Sequence, residues 1–210
     1  MIEAVLFDLG GVLERVSAAP QVESWTRGRI PASEFWHRWL TAESVRLFES
    51  GRIDTDAFVR LALPELGIEV DVEAFLAGFV LWPAGPFDGA ADLVRQVRSA
   101  GYRVASFSNS NPVHWPTMQV HQRTEEVFEA NFPSHLLGHC KPDAHAFEAV
   151  ATRWGIAPER ILFLDDNEMN CEGARTAGMQ ADRVAGAEGA RKALLDRGIL
   201  TGINPLAASP

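Results

Sequence analysis

Apolar residues recur along this chain with two different periods, and the change of period divides the chain into three parts. Residues 2–7 form a run of branched and aromatic side chains that is typical of a strand buried on both faces. Residues 15–82 carry apolar side chains three or four positions apart, which predicts helices. From Phe87 onward, amphipathic stretches alternate with short apolar runs, so helices and strands are expected to alternate.

The middle part is expected to be a small helical unit of its own. Start signals at 31–34 and stop signals at 50–51 predict one helix between them. Start signals at 54–56 and a stop signal at Gly67 predict a second helix. The breaker-rich residues 81–86 predict a linker that returns the chain. We therefore expect a helical cap domain over 15–82, inserted after the first strand of a core that comprises residues 1–14 and 83–210.

The last part predicts several helices and strands. In order, these are a helix over 90–100, a strand over 102–107, a helix that starts at Pro112 with Asn111 as its N-cap, a helix that starts at Pro142, a strand over 161–164, a helix that ends near Gly178, a strand over 180–184 and a helix over 187–197. The tail over 203–210 has little to pack against and is expected to fray.

Polar residues stand where the predicted strands end. Asp8 follows the first strand, Ser108 and Asn109 follow a middle strand, and Asp165 and Asp166 follow a later one. The carboxyl ends of the strands are where open parallel sheets bind their ligands. Asp8 is therefore a candidate reactive group, although it could equally cap a turn.

The charges at these strand ends indicate an anion site and a cation site. Lys141 stands just before a predicted helix start, where it would serve as a phosphate ligand or else be a solvated surface charge. Asp165 and Asp166 would repel each other unless a positive charge lies between them, and Mg²⁺ would supply that charge. The alternative is that Asp166 caps the following helix and Asp165 is solvated.

The composition excludes several classes of partner. The net charge of −9 and the pI near 5.1 argue against nucleic acid and acidic membranes. Two cysteines, Cys140 and Cys171, are too few for a disulfide framework and match no zinc pattern. The amino terminus does not have the features of a signal peptide, and no apolar stretch is long enough to span a bilayer. A cytoplasmic location is therefore expected.

Together these motifs resemble, in order, the four motifs of the haloacid dehalogenase-like (HAD) hydrolase superfamily. The resemblance rests on Asp8, on Ser108-Asn109, on Lys141-Pro142, and on Asp165-Asp166 with Asn170. It covers nearly the whole chain, and the helical insertion looks like the small cap of that family. It implies an α/β fold, in which a Rossmann-like parallel sheet forms the core.

The resemblance also implies a chemistry, that of a phosphoric monoester hydrolase. Asp8 would attack phosphorus to form an aspartyl-phosphate that water then hydrolyses. Mg²⁺ would be held by Asp8, Asp166 and the carbonyl of Gly10, with Asp165 and Asn170 in support. Ser108, the backbone of Asn109, and Lys141 would bind the phosphoryl oxygens.

Gly10 is a departure from the family pattern. Most phosphatases of the superfamily carry a second aspartate at this place, which protonates the leaving group. Losing such a group costs typically ~10²- to 10⁴-fold in rate. Glu14 is one candidate substitute, although an exposed and solvated glutamate is the more ordinary expectation, and His114 is a weaker candidate.

Two other functions remain open on the sequence alone. The dehalogenases of the superfamily also lack the second aspartate, but they resemble this chain less at Asp165-Asp166, where they carry small polar residues. A weakly active phosphometabolite-binding protein is the other alternative, and only Gly10 favours it. We expect a small phosphorylated metabolite as the substrate, with sugar phosphates as the first class to test, and either a monomer or a homodimer.

Overall fold

The computed structural model describes residues 1–201. The expectation that residues 203–210 fray therefore falls outside the described residues. In chain order the strands are β1 (Ala4–Phe7), β2 (Glu14–Val16), β3 (Pro83–Pro86), β4 (Arg103–Ser108), β5 (Ala130–Pro133), β6 (Ile161–Asp165) and β7 (Gln180–Arg183). The helices are α1 (Ala19–Trp25), α2 (Ala32–Thr41), α3 (Glu43–Glu49), α4 (Thr55–Leu66), α5 (Val72–Phe79), α6 (Ala90–Ser99), α7 (Trp115–Gln122), α8 (Thr124–Val127), α9 (Ser134–Leu137), α10 (Ala144–Trp154), α11 (Glu168–Thr176) and α12 (Gly186–Asp196).

A five-stranded parallel sheet forms the centre of the molecule, in the order β5-β4-β1-β6-β7. β1 is the middle strand, and its four residues have no solvent exposure. Its side chains alternate between two apolar clusters, with Val5 and Phe7 in one and Ala4 and Leu6 in the other. Burying a side chain of this size stabilises the fold by roughly 1.5–3 kcal/mol. The predicted α/β fold with a Rossmann-like parallel sheet is confirmed.

The helices α1 to α5 form a separate apolar cluster rich in aromatic side chains. Trp39 lies at its centre, with its ring centroid 4.6 Å from that of Trp82. Phe48 and Phe58 stack with their centroids 4.2 Å apart. We propose that this cluster is the core of the cap domain expected over 15–82.

The prediction of a single helix between the start signals at 31–34 and the stop signals at 50–51 is wrong. The chain is extended at Ala42, with ψ of 131°, and this residue separates α2 from α3. The carboxylate of Glu65 explains the break, because it accepts hydrogen bonds from the first two backbone N–H groups of α3, at Glu43 and Ser44. Such a contact comes from α4 and cannot be read from the local sequence.

The return linker expected over 81–86 contains a strand. β3 pairs antiparallel with β2, with Glu14 opposite Pro86 and Val16 opposite Pro83. This two-stranded ribbon joins the helical cluster to the core at both of its chain crossings.

Two helices begin later than predicted. The residues after Pro112 form a turn, and α7 begins only at Trp115, although Asn111 still caps this turn by accepting hydrogen bonds from the backbone N–H groups of Val113 and His114. Pro142 likewise lies in a turn before α10, which begins at Ala144. None of the helices within residues 1–201 is long and apolar enough to cross a membrane.

Candidate active site

Asp8 lies at the carboxyl end of β1, where the sheet pairing continues through a hydrogen bond from its backbone N–H to the Leu164 carbonyl, 2.9 Å away. The side chain is buried, with 6% of the residue exposed. The Lys141 Nζ lies 2.8 Å from Asp8 Oδ1 and 2.6 Å from Asp165 Oδ2. Tertiary folding thus brings together three charged residues that are far apart in the sequence.

Asp165 is fully buried and held on several sides. Besides the Lys141 ammonium, it accepts hydrogen bonds from Asn170 Nδ2 at 3.0 Å and from the Asn167 backbone N–H at 2.8 Å. The alternative in which Asp165 is solvated is therefore wrong. Asn167, rather than Asp166, caps α11, because its side chain accepts from the Met169 backbone N–H.

Lys141 is held at its backbone as well as at its ammonium. The Asn109 side chain accepts from the Lys141 backbone N–H at 2.9 Å and donates to the Lys141 carbonyl at 3.0 Å. Its ammonium also donates to the Phe107 carbonyl at 3.2 Å. The alternative that Lys141 is a solvated charge is wrong, since the residue is 4% exposed. Sequence analysis considered only the backbone of Asn109 and missed this clamp.

Ser108 ends β4, the strand next to β1, and is buried, with its Oγ 3.4 Å from the Asn109 carbonyl oxygen. Asp166 lies across from it, after β6 on the other side of β1. A glycine is required beside Asp166, because Gly11 has φ of 77° and a β-carbon there would stand 2.2 Å from Asp166 Oδ2. The loop after β1 and the loop after β6 therefore meet at this point.

The carboxylates of Asp8, Asp165 and Asp166 each offer an oxygen within 4.8 Å of the others. Burial, together with the neighbouring acids, raises the pKa of Asp8, although Lys141 opposes this effect. Burial and Asp165 also raise the pKa of Asp166. Burial lowers the pKa of Lys141. Asp165 and Asp8 outweigh this effect and raise the pKa above its ordinary value. Three acids face one ammonium, so this site fits a further hard cation.

Gly10 has room for a side chain. A β-carbon there would meet only the Val16 Cγ2, at an ordinary 3.4 Å, and the backbone is not in the left-handed region. The missing acid at this position is therefore not explained by crowding.

Neither candidate substitute acid is free to serve the site. Glu14 is fully buried, and its carboxylate contacts the Gly85 backbone N–H at 2.9 Å, the ring of His121 at 2.7 Å and the Gln122 amide. The expectation of a solvated Glu14 is wrong, because the ribbon and α7 enclose it. His114 is also engaged at both ring nitrogens, with the Phe79 carbonyl and with Asn111.

The sequence profile of the haloacid dehalogenase-like hydrolases matches residues 2–178. The chain belongs to this family. It is therefore a hydrolase, and its fold has counterparts among solved structures of the family. A Bacteroides thetaiotaomicron HAD family enzyme, bt-2542, solved in complex with magnesium and inorganic phosphate, superposes with a TM-score of 0.71 and 25% identity, over 88% of this chain and 94% of that one.

The curated relatives of this chain include both phosphatases and dehalogenases. Phosphatase MT3486 of Mycobacterium tuberculosis is 26% identical over 194 residues, which cover 86% of each chain. An (S)-2-haloacid dehalogenase of a Pseudomonas species is also 26% identical, over 84% of this chain and 80% of the relative. Because both relatives are equally similar in sequence, percentage identity does not show whether this enzyme attacks phosphorus or carbon.

One acid near the site was missed by sequence analysis. Glu49 ends α3 and is partly buried, and it stands one helical turn after Arg46, which pairs with Asp143 in the turn that contains Lys141. A signal was present, since an acid in the last turn of a helix opposes the helix dipole and so calls for another explanation.

Proposed function

We propose that this HAD hydrolase is a magnesium-dependent phosphatase of a small phosphorylated metabolite, with Asp8 as its nucleophile. The proposal rests on one observation, the cluster of carboxylates formed by Asp8, Asp165 and Asp166. Asp8 shares the Lys141 ammonium with Asp165, and within residues 1–201 Asp166 forms no ion pair with a lysine or arginine side chain. Attack on a haloacid carbon releases an anion and gains nothing from this additional negative charge.

Each residue of the site would have a separate part in the reaction. An Asp8 oxygen would attack phosphorus, so that the bond to the ester oxygen breaks and an aspartyl-phosphate forms. The Lys141 ammonium, the Ser108 hydroxyl and the Asn109 backbone N–H would hold phosphoryl oxygens as their charge redistributes. Asp165 and Asn170 would keep Lys141 in position.

Asp8, Asp166 and the Gly10 carbonyl would hold the Mg²⁺, with Asp165 supporting them. The fit rests on the chemistry of the donor set, because carboxylate and carbonyl oxygens are the ligands of hard divalent cations. The bound ion would supply positive charge to the phosphoryl group. We keep sugar phosphates as the first substrate class to test.

Hydrolysis of p-nitrophenyl phosphate tests the proposal, measured with Mg²⁺ and with EDTA. We expect Mg²⁺-dependent turnover that Asp8→Asn abolishes, and Asp56→Asn, an exposed acid of α4, is the matched control. Chloride release from 2-chloropropionate without phosphatase activity would instead favour the dehalogenase. Binding of phosphate esters with neither activity would favour the binding protein.

A further inference from the structure

The last turn of α3 lies against the core beside Lys141. A β-carbon on Gly51 would stand 2.2 Å from the His135 carbonyl oxygen, so the backbone approaches α9 as closely as a glycine allows. Arg46 forms an ion pair with Asp143. The carboxyl end of α3 therefore packs against the segment that contains Lys141.

Glu49 is the acid that this arrangement brings to the site. Glu49 stands one helical turn after Arg46, whose side chain pairs with Asp143 and whose carbonyl oxygen lies 3.9 Å from the Cys140 Sγ, so the side chains of Arg46 and Glu49 lie on the same face of α3. Burial and the Glu49 charge raise the pKa of the thiol of Cys140, the residue next to Lys141. Glu49 thus faces the turn of residues 140–143, which contains Lys141.

The direction of attack decides which atom faces the cap. In a phosphoryl transfer the attacking and leaving oxygens are roughly in line. Asp8 attacks from the edge of the sheet, so the leaving oxygen points away from the sheet and toward the cap domain. A proton donor for that oxygen is expected on the cap side, and Gly10 supplies none.

We propose that the Glu49 carboxyl is the general acid that protonates the leaving oxygen, in place of a side chain at position 10. This inference rests on the proposed phosphatase function. As the bond from phosphorus to the ester oxygen breaks, the Glu49 proton passes to that oxygen and the alcohol leaves. The resulting carboxylate then takes a proton from the water that attacks the aspartyl-phosphate. The bond from Asp8 to phosphorus breaks, which releases phosphate, frees the Asp8 carboxylate and restores the Glu49 acid.

The environment of Glu49 suits this part. Burial raises its pKa to about 7, against the opposing effects of the Lys141 charge and the Trp39 side chain. A general acid works best when its pKa is near the working pH, because both protonation states are then accessible.

Leaving-group dependence in Glu49→Gln tests the proposal. We would compare kcat/KM for phenyl phosphate, whose leaving phenol resembles tyrosine with a pKa of ~10, with that for p-nitrophenyl phosphate, whose leaving group needs little protonation. The two substrates have nearly the same shape, and kcat/KM reports the first chemical step. We expect roughly a 10²-fold loss or more for phenyl phosphate, and only a few-fold loss for p-nitrophenyl phosphate.

The matched control is Glu43→Gln, an exposed acid at the start of the same helix, which should leave both rates unchanged. Circular dichroism and thermal unfolding would check the fold of each variant. Equal losses on both substrates would overturn the proposal and indicate a binding or structural role, and so would unchanged rates. If the unmodified protein hydrolyses neither ester, the phosphatase function itself fails, and the inference falls with it.

Discussion

A β-carbon on Gly173 would stand only 2.1 Å from the carbonyl oxygen of Pro142. This contact presses α11 against the turn that contains Lys141, so a glycine in the middle of a helix sets the position of a site residue. Gly173→Ala should destabilise the protein by about 1–3 kcal/mol, because a packed backbone has to move. It should also lower phosphatase turnover, since the turn that carries Lys141 moves with it.

Urea unfolding and p-nitrophenyl phosphate kinetics would measure the two effects of Gly173→Ala. Gly189→Ala is the control, because a β-carbon in that helix meets only ordinary contacts of 3.7–3.9 Å. Helix propensity predicts that this control stabilises the protein by roughly 0.5–1 kcal/mol. An unchanged free energy of unfolding in Gly173→Ala would show that the turn can move without destabilising the protein.

Lys141→Met should be strongly destabilising. It leaves the buried carboxylates of Asp8 and Asp165 without their ammonium partner, and breaking a buried ion pair from one side costs about 3–5 kcal/mol. Lys192→Met, at an exposed lysine paired with Asp196, should change the free energy of unfolding by less than about 0.5 kcal/mol. Urea unfolding measures both, and similar small changes would contradict the assigned importance of the buried pairs.

Asp166→Asn should weaken Mg²⁺ binding without abolishing the fold. The substitution removes one of the carboxylates proposed to hold the ion, and we expect at least a tenfold loss of affinity, or about 1.4 kcal/mol. Isothermal titration calorimetry with Mg²⁺ alone measures this without reference to turnover. Affinity equal to that of Asp56→Asn would remove Asp166 from the metal site.

Gly10→Asp should restore general acid catalysis to Glu49→Gln. Position 10 accepts a β-carbon without a clash, so an aspartate can be placed beside Asp8. In the double variant, kcat/KM for phenyl phosphate should recover by at least tenfold over Glu49→Gln alone. No recovery, in a protein that is folded, would indicate that the loss in Glu49→Gln has another cause.

Acid should destabilise the fold through His114, whose ring contacts the Phe79 carbonyl of α5. Burial lowers the pKa of this imidazole to about 4, from an ordinary value of 6.5, although its hydrogen bond with the Phe79 carbonyl opposes this. The unfolded chain therefore binds more protons between these values. The contribution is fully present above pH 6.5 and is lost as the pH falls toward 4, by about 2 kcal/mol at pH 5.

Urea unfolding at pH 7.5 and pH 5 measures this contribution of His114. The difference between the two pH values should shrink by about 2 kcal/mol in His114→Gln. It should be unchanged in His37→Gln, an exposed histidine of α2. Equal pH dependence in all three proteins would exclude His114 as its source.

The sequence by itself determined the sheet, most helices and the residues that gather at its edge. Buried parallel strands leave apolar runs, and a ligand-binding edge leaves polar residues directly after them, so Asp8, Ser108, Lys141 and Asp165 could be found by local pattern. The family follows from the same motifs, because their order and spacing are linear properties of the chain.

Tertiary structure alone decided what each charge faces. Lys141 pairs with Asp165 and Asp8, Glu14 is enclosed in the ribbon, and Glu49 stands one helical turn after Arg46, which pairs with Asp143. The two ion pairs of Lys141 join residues that are 24 and 133 positions apart in the chain. Local propensity carries no information over such distances, because the packing of separate elements, rather than any short stretch, sets which side chains meet.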